Sequence, residues 1–349
     1  MGIAVVTGAA GFIGSHMVTR LLTAGYDVRM IDDLSAGQKE NIDAAIAEAA
    51  ASAEAPAPGA TTFHALDIAD PTNGDELTAI ARCADLIFHF AALADIVPSI
   101  QEPLRYHRSN VEGTVRLLEA IRAAGGVKKL VYAASSSCYG IPEVYPTPET
   151  APIRPQYPYA LTKRVAEQYA LHWSSVYGVP AVSLRFFNVY GPRSRTAGTY
   201  GAVFGVFLAQ KRAGKPLTIV GDGTQTRDFI YVTDVVEACY RAAESDITAE
   251  VYNVAGGNPQ SVNRLCELIG GPTTHVPKRP GEPDCTWADI AKIRAALDWT
   301  PTVHFEDGVS RMMERIEAWR EAPVWTPSTI ADATADWFRY LGEATPSHA

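Results

Sequence analysis

A strand that runs into a glycine-rich turn and straight out into a helix leaves a chain few ways to fold. Residues 3–7 (Ile-Ala-Val-Val-Thr) are apolar and β-branched, and Gly8-Ala9-Ala10-Gly11-Phe12-Ile13-Gly14 follows them. The pattern predicts a helix over residues 15–24 and a second strand over residues 27–31, ending at Asp32-Asp33. In a βαβ unit of this kind the first glycine permits the tight turn and the second lets backbone approach a pyrophosphate. The third lets the helix pack closely on the strand. Phe12 and Ile13 lie between the second and third glycines, where free N–H groups and the helix dipole favour an anion. Asp32, roughly 20 residues past the glycines, can accept hydrogen bonds from a ribose 2′-OH. A carboxylate there repels a 2′-phosphate, so the unit reads as binding NAD rather than NADP.

Strand signals recur down the chain: residues 61–65 before Asp67-Ile68, 86–90 before Ala91-Ala92, 129–134 before Ser135, and 181–187 before Asn188. Helices are expected between them, around residues 103–124 and 159–177. This alternation predicts an α/β fold, a doubly wound parallel sheet of the Rossmann type, with ligands beyond the carboxyl ends of the strands. Past residue 190 the texture turns to glycine, proline and loop. The expected division is an NAD-binding domain over residues 1–190, with 223–255 returning to it. A smaller C-terminal α/β substrate domain takes residues 191–222 and 256–349. Residues 41–60 are alanine-rich and read as a surface helix plus loop without chemistry. The tail offers an amphipathic stretch over residues 330–341 with Trp337, Phe338 and Leu341 available for packing, and no function is assigned to it.

Composition excludes several classes. The 349 residues carry a net charge of −9, which argues against a nucleic-acid surface but leaves room for a local basic pocket. No apolar run approaches the roughly 20 residues that cross a bilayer, and no basic region precedes the first strand, so the chain is expected to be cytoplasmic, without membrane or nucleic-acid partners. Its 5 cysteines are scattered, as are its 8 histidines, and no metal site is expected.

Tyr159 and Lys163 stand four residues apart at the start of a predicted helix, on one face. A fixed positive charge near a phenol favours the phenolate and makes it usable as a proton acceptor. With Gly8-x-x-Gly11-x-x-Gly14, this Tyr-x-x-x-Lys resembles the extended short-chain dehydrogenase/reductase superfamily, in its nucleotide-sugar epimerase and dehydratase branch. Supporting strings are Asp32-Asp33-Leu34-Ser35, His89-Phe90-Ala91-Ala92, residues 134–140, Leu184-Arg185-Phe186-Phe187-Asn188, Gly221-Asp222-Gly223, Arg227-Asp228-Phe229 and Arg279-Pro280-Gly281-Glu282.

The resemblance implies roles for these residues. Tyr159 would be the proton shuttle, Lys163 would hold the nicotinamide ribose, and Ser135, four before Tyr139, would be the catalytic hydroxyl. Asp33, Asp67, Ile68, Ala91, Ala92 and Phe187 would complete the cofactor site. Ser136, Asn188, Arg227, Arg279, Glu282 and Thr286 would meet the substrate: the arginines and Asn188 at its diphosphate, Glu282 at the nucleotide ribose, and Thr286 beside the sugar C2 substituent. Family members commonly dimerise through two helices per subunit, which implies a homodimer.

The serines sharpen the reaction. Elimination needs a base for the C5 proton and an acid for the departing oxygen. Family members that eliminate water carry an acidic pair after the catalytic hydroxyl, whereas here the run is Ser135-Ser136-Ser137-Cys138-Tyr139. That favours an NAD-dependent 4-epimerase acting on a nucleotide sugar, most readily a UDP-sugar, through a transient 4-keto sugar. A 4,6-dehydratase or other net oxidoreductase on the same substrate class is the alternative, and a non-catalytic NAD-binding regulator a remote one. Cys138, with no His or Asp partner apparent, reads as a packing residue.

Overall fold

The structure, a computed structural model, describes residues 2–52, 59–194 and 202–342. β1 (Ile3–Thr7) leads into α1 (Phe12–Thr23), β2 (Asp27–Asp32), α2 (Lys39–Ala50) and β3 (Thr61–Ala65). Next come α3 (Gly74–Arg82), β4 (Leu86–His89), α4 (Ile96–Gln101), α5 (Pro103–His107) and α6 (Gly113–Ala124). β5 (Lys129–Ser135), α7 (Pro158–Tyr177) and β6 (Ala181–Phe186) complete the alternation. Beyond them lie β7 (Asn188–Tyr190), α8 (Val203–Arg212), β8 (Leu217–Val220), β9 (Thr226–Arg227), β10 (Phe229–Tyr231), α9 (Val232–Glu244) and β11 (Glu250–Val254). Then follow β12 (Gln260–Ser261), α10 (Val262–Ile269), β13 (Thr273–Val276), α11 (Ala291–Leu297), α12 (Phe305–Glu314), α13 (Pro327–Ala333) and α14 (Ala335–Leu341).

Seven strands form one parallel sheet in the order β11-β6-β5-β4-β1-β2-β3. Chain order reverses between β1 and β4, which makes that crevice the switch point where such sheets bind ligands. β4 and β6 are buried along their whole length, as strands covered on both faces must be. β3 closes the free edge with its polar Thr-Thr start exposed. Short strand pairs β7–β10, β8–β13 and β9–β12 lie outside that sheet. One apolar cluster runs from Ala4 and Val6 of the sheet through Tyr190 to Leu265, Ile293 and Trp299, so the sheet and the elements beyond it share a core.

Three sequence expectations change in detail. α1 starts at Phe12, three residues before the expected start, because Gly11 in extended conformation already serves as its N-cap. The alanine-rich stretch is more than a surface helix: Ile42, Ala45 and Ala49 of α2 are buried in the same core as α1, and their small side chains let the two helices approach closely. The expected loop beyond it falls largely on residues 53–58, outside the described residues. The helix expected over residues 103–124 is interrupted by a π-turn at Arg108–Glu112. That turn carries Asn110 inward, where Oδ1 accepts from Leu93 N at 2.8 Å and Nδ2 donates to Thr162 Oγ1 at 3.0 Å. A functional reason for such bulges is common, and here it ties α7 to the loop after β4.

α7 is locked to β6 by a buried ion pair. Arg185 donates from Nε to Glu167 Oε2 at 2.9 Å and from Nη2 to Oε1 at 2.7 Å. Removing one partner leaves the other charged and dry, at a cost of roughly 3–5 kcal/mol. Arg185→Leu is therefore expected to lower the unfolding free energy by about that amount, with Glu167→Leu/Arg185→Leu recovering part of it. Chemical denaturation of the three variants decides this, and a single variant within 1 kcal/mol of the parent would sink it.

Candidate active site

The turn after β1 is shaped by contacts that only glycine permits. Gly8 has φ +70°, and a Cβ on it would lie 2.7 Å from the amide nitrogen of Ala91, at the end of the adjacent β4. A Cβ on Gly14 would lie 2.0 Å from the Gly8 carbonyl oxygen. The turn thus presses α1 onto β1, and α1 begins without a side-chain cap, leaving the amides around Phe12, Ile13 and Gly14 to an anion. Asp32, at the end of β2, accepts from Ala10 N at 2.9 Å through Oδ2 and from Leu34 N at 2.8 Å through Oδ1. Burial pushes its carboxyl above the usual range, against the pull of those two amides.

The remaining cofactor candidates follow the same edge. Asp33 is exposed and holds Ser35 by its amide and hydroxyl. Asp67, past β3, caps Ala69 N at 2.8 Å and pairs with Arg108 at 2.9 Å. Ile68 is buried against Gly113 of α6, and Ala91 and Ala92 line the half-buried loop after β4. Phe187, just past β6, is 8% exposed.

Ser135 ends β5 and caps a short 3-10 turn over Ser136–Tyr139. Its Oγ accepts from Ser137 N at 3.2 Å and lies 2.8 Å from Ser137 Oγ. Tyr159 stands in the first turn of α7, where Pro158 starts the helix and forces Tyr157 into extended backbone. Burial pushes the Tyr159 phenol above its ordinary pKa, while a hydrogen bond from Ser135 pulls the other way and Asp95 adds to the rise. Ser135 and Tyr159 thus meet, although they come from different elements. Lys163, one turn on, is buried, and its Nζ sits 4.6 Å from the ring centroid of Tyr132. Burial lowers its pKa to about 7, with Glu167 opposing. Cys138 is buried and its thiol is raised to about 12 by desolvation, which leaves it inert at neutral pH.

The substrate candidates other than Ser136 form one connected group. Asn188 Oδ1 accepts from Thr286 Oγ1 at 2.9 Å, and the same Thr286 oxygen accepts from Asp228 N at 2.9 Å. The Thr286 bond fixes Asn188 with its carbonyl oxygen occupied, so the Nδ2 amide is the end left to meet a ligand. Arg227 pairs with Glu282 at 2.8 Å, and Arg279 approaches the same carboxylate at 3.6 Å. Ser136 stands apart from this group, half-buried at the end of β5.

Two neighbours of the phenol were not singled out from the sequence. Tyr157 stacks on Tyr159 with ring planes 7° apart and centroids at 6.5 Å. Ser99 of α4 accepts from Tyr159 N at 3.1 Å. Tyr157 is two residues from Tyr159, a spacing that a helix would point elsewhere. Only its extended N-cap conformation aligns the rings, and Pro158 was the available signal.

A model of the NAD dependent epimerase/dehydratase family matches residues 4–255. The chain belongs to that family. The UDP-glucose 4-epimerase of Mycolicibacterium smegmatis is 37% identical over 318 residues, covering 88% of this chain and 96% of that protein. The UDP-N-acetylglucosamine 4-epimerase from Methanobrevibacter ruminantium, in complex with UDP-N-acetylmuramic acid, superposes with a TM-score of 0.81 at 32% identity, over 92% of this chain and 98% of that one. The UDP-glucuronic acid 4-epimerase from Bacillus cereus, solved with UDP-glucuronic acid and NAD, gives 0.79 at 31%, over 90% and 99%. The family match takes in every strand of the central sheet and the whole Ser135–Tyr159–Lys163 group.

Lys163 gives the site a pH signature. Its folded pKa of about 7 lies below the ordinary 10.5, so between those values the unfolded chain holds the extra proton. Stability of the ligand-free protein should therefore rise as pH increases from about 7. Lys163→Met should flatten that rise. Melting temperatures measured from pH 6 to 9 test this, and equal slopes in parent and variant would refute it.

Proposed function

We propose that the chain is an NAD-dependent 4-epimerase of UDP-sugars, working through a transient 4-keto sugar. The observation that carries this reading is that Tyr159 is brought to Ser135 at the head of a run, Ser135–Tyr139, that holds hydroxyls and no carboxylate. Such a site can move the 4-OH proton but lacks, in that run, the acid and base that elimination requires.

The residues present fit NAD. The close approach at Gly8 and Gly14 leaves backbone amides open at the start of α1, and Asp32 offers a carboxylate held in place by two amides. Phe12, Ile13, Asp33, Asp67, Ile68, Ala91, Ala92 and Phe187 would flank the cofactor, and Lys163 would hold its nicotinamide ribose. NAD bound there would supply reversible hydride acceptance and donation at C4. Tyr159 Oη takes the 4-OH proton, Ser135 Oγ holds the sugar oxygen beside it, and Tyr159 gives the proton back to the ketone. Arg227, Arg279 and Asn188 would anchor the diphosphate while the sugar turns, since bidentate guanidinium contacts suit phosphate oxygens. Glu282 would meet the nucleotide ribose, and Ser136 the sugar.

On this reading residues 1–190 with 223–255 hold NAD, and the remainder holds the nucleotide sugar together with Ser136, Asn188 and Arg227, which reach it from the NAD-binding part. Among the described residues no helix is long and apolar enough to cross a membrane, and we place the protein in the cytoplasm. Leu104 on α5 and Leu161, Val176 and Tyr177 on α7 are large apolar side chains left exposed at 84%, 53%, 56% and 49%. They support a homodimer formed through these helices.

Purified protein incubated with UDP-glucose, UDP-N-acetylglucosamine or UDP-glucuronate, with no NAD added, should yield the C4 epimer of at least one. Tyr159→Phe should lower its kcat by about 100-fold or more. Absence of any epimer by NMR, or a Tyr159→Phe rate equal to the parent's, overturns the reading.

Thr286, a small residue, leaves room for an N-acetyl group at the sugar C2. Thr286→Tyr should then shift the N-acetylhexose-to-hexose rate ratio by about tenfold or more toward the plain hexose. An unchanged ratio would exclude Thr286 as the gate.

A further inference from the structure

α14 turns its largest side chain inward. Trp337 is 4% exposed, whereas its neighbour Phe338 is 38% exposed. Trp337 is bounded by residues of the candidate site. Its Nε1 donates to the Pro280 carbonyl at 2.7 Å, and the Arg279 guanidinium carbon lies 5.6 Å from its ring centroid. On another side its ring centroid is 6.0 Å from that of Tyr157, the residue stacked on Tyr159. The indole therefore touches both the arginine proposed for the diphosphate and the aromatic pair that contains the proton shuttle.

The helix that delivers Trp337 is itself fixed to the sheet-side lobe. Gln101 of α4 donates to Asp336 Oδ2 at 2.7 Å, and Ser99 of the same α4 holds the Tyr159 amide. A capping box at Thr326 and Thr329 starts α13, and the buried Ile330 pins it. α14 thus reaches from the lobe that carries Tyr159 to the segment that carries Arg279. A guanidinium over an aromatic face is attracted by the ring quadrupole, and the indole N–H bond to the next residue's carbonyl restrains the backbone.

We propose that Trp337 is a positioning residue of the UDP-sugar site: it sets the Arg279 guanidinium at a fixed place relative to Tyr159, so that diphosphate and sugar C4 are held in register. The proposal rests on the UDP-sugar reading above. It makes the C-terminal segment part of the substrate site and not merely a cover for the fold.

The experiment is calorimetric titration of UDP into the parent, Trp337→Ala, Trp337→Phe, Arg279→Ala and the Arg279→Ala/Trp337→Ala double variant, with steady-state kinetics on the epimerised sugar. Trp337→Ala should weaken UDP binding about tenfold and raise KM by a similar factor, with a smaller fall in kcat. Trp337→Phe, which keeps a ring but loses the N–H, should fall between the two. The double variant should bind no more weakly than Arg279→Ala alone, because Trp337 acts through that arginine. Retained cofactor and an unshifted melting temperature separate this from misfolding, and Trp337→Phe carries the cycle if the alanine variant is unstable. UDP affinity and KM equal to the parent's, or losses that add in full in the double variant, overturn the proposal alone. A parent that fails to bind UDP overturns the UDP-sugar reading and the proposal with it.

Discussion

The Glu167 carboxylate is 1% exposed on the buried side of α7, and Arg185 of β6 meets it with both forks of its guanidinium. Burial works to neutralise Glu167, but the Arg185 hydrogen bonds and charge, with Arg164 behind them, hold its carboxyl below the usual range. A pair this dry is tolerable only when its spare valences are filled. Ser183 donates to Glu167 at 3.2 Å, and Arg185 Nη1 donates to Tyr139 Oη at 2.7 Å. Tyr139 in turn donates to Asn253 Oδ1 at 2.7 Å, and Asn253 Nδ2 reaches Thr147 O at 3.0 Å. The network therefore joins α7, β5's terminal turn, β6, β11 and the loop before α7. Tyr159 and Lys163 ride on one end of it and Ser135 on another, so the relative placement of these three side chains is tied to this ion pair.

Much of this arrangement was legible in the chain because it depends on short-range rules. The glycines at 8 and 14 are required by backbone contacts that a Cβ would break, and Asp32 follows at the distance one helix and one strand impose. Strand ends carry the ligands in a parallel sheet, so Asp67, Ala91, Ser135 and Asn188 could be placed without knowing strand order. Tyr159 and Lys163 share a face because four residues make a turn.

What the sequence hid depends on pairings between distant segments. Nothing local says that Thr286 bonds Asn188, that Glu282 faces two arginines, or that Trp337 lies on Arg279. The α2 stretch looked inert because alanine signals neither burial nor exposure, and its close packing on α1 appears only when both helices are in place. The π-turn in the helix after α5 has no periodicity of its own, since Asn110 is turned inward by partners on the loop after β4 and on α7. The charge state of the Tyr–Lys pair was also out of reach. Four-residue spacing suggested a lysine lowering a phenol, whereas in the ligand-free fold burial raises Tyr159 and draws Lys163 toward neutrality, and Ser135 supplies the opposing pull.

That inversion follows from where the charges are kept. Lys163 is buried with its Nζ against the Tyr132 ring, and burial disfavours an ammonium there. Arg227 and Arg279 are nearly buried too, with side chains 10% and 14% exposed, and the Glu282 carboxylate pairs with both. On the proposed reading, a diphosphate would meet guanidinium groups that Glu282 already holds in place. At Lys163 the counter-charge is Glu167, and burial outweighs it, so the ligand-free fold favours the neutral phenol of Tyr159 and draws Lys163 toward the neutral amine.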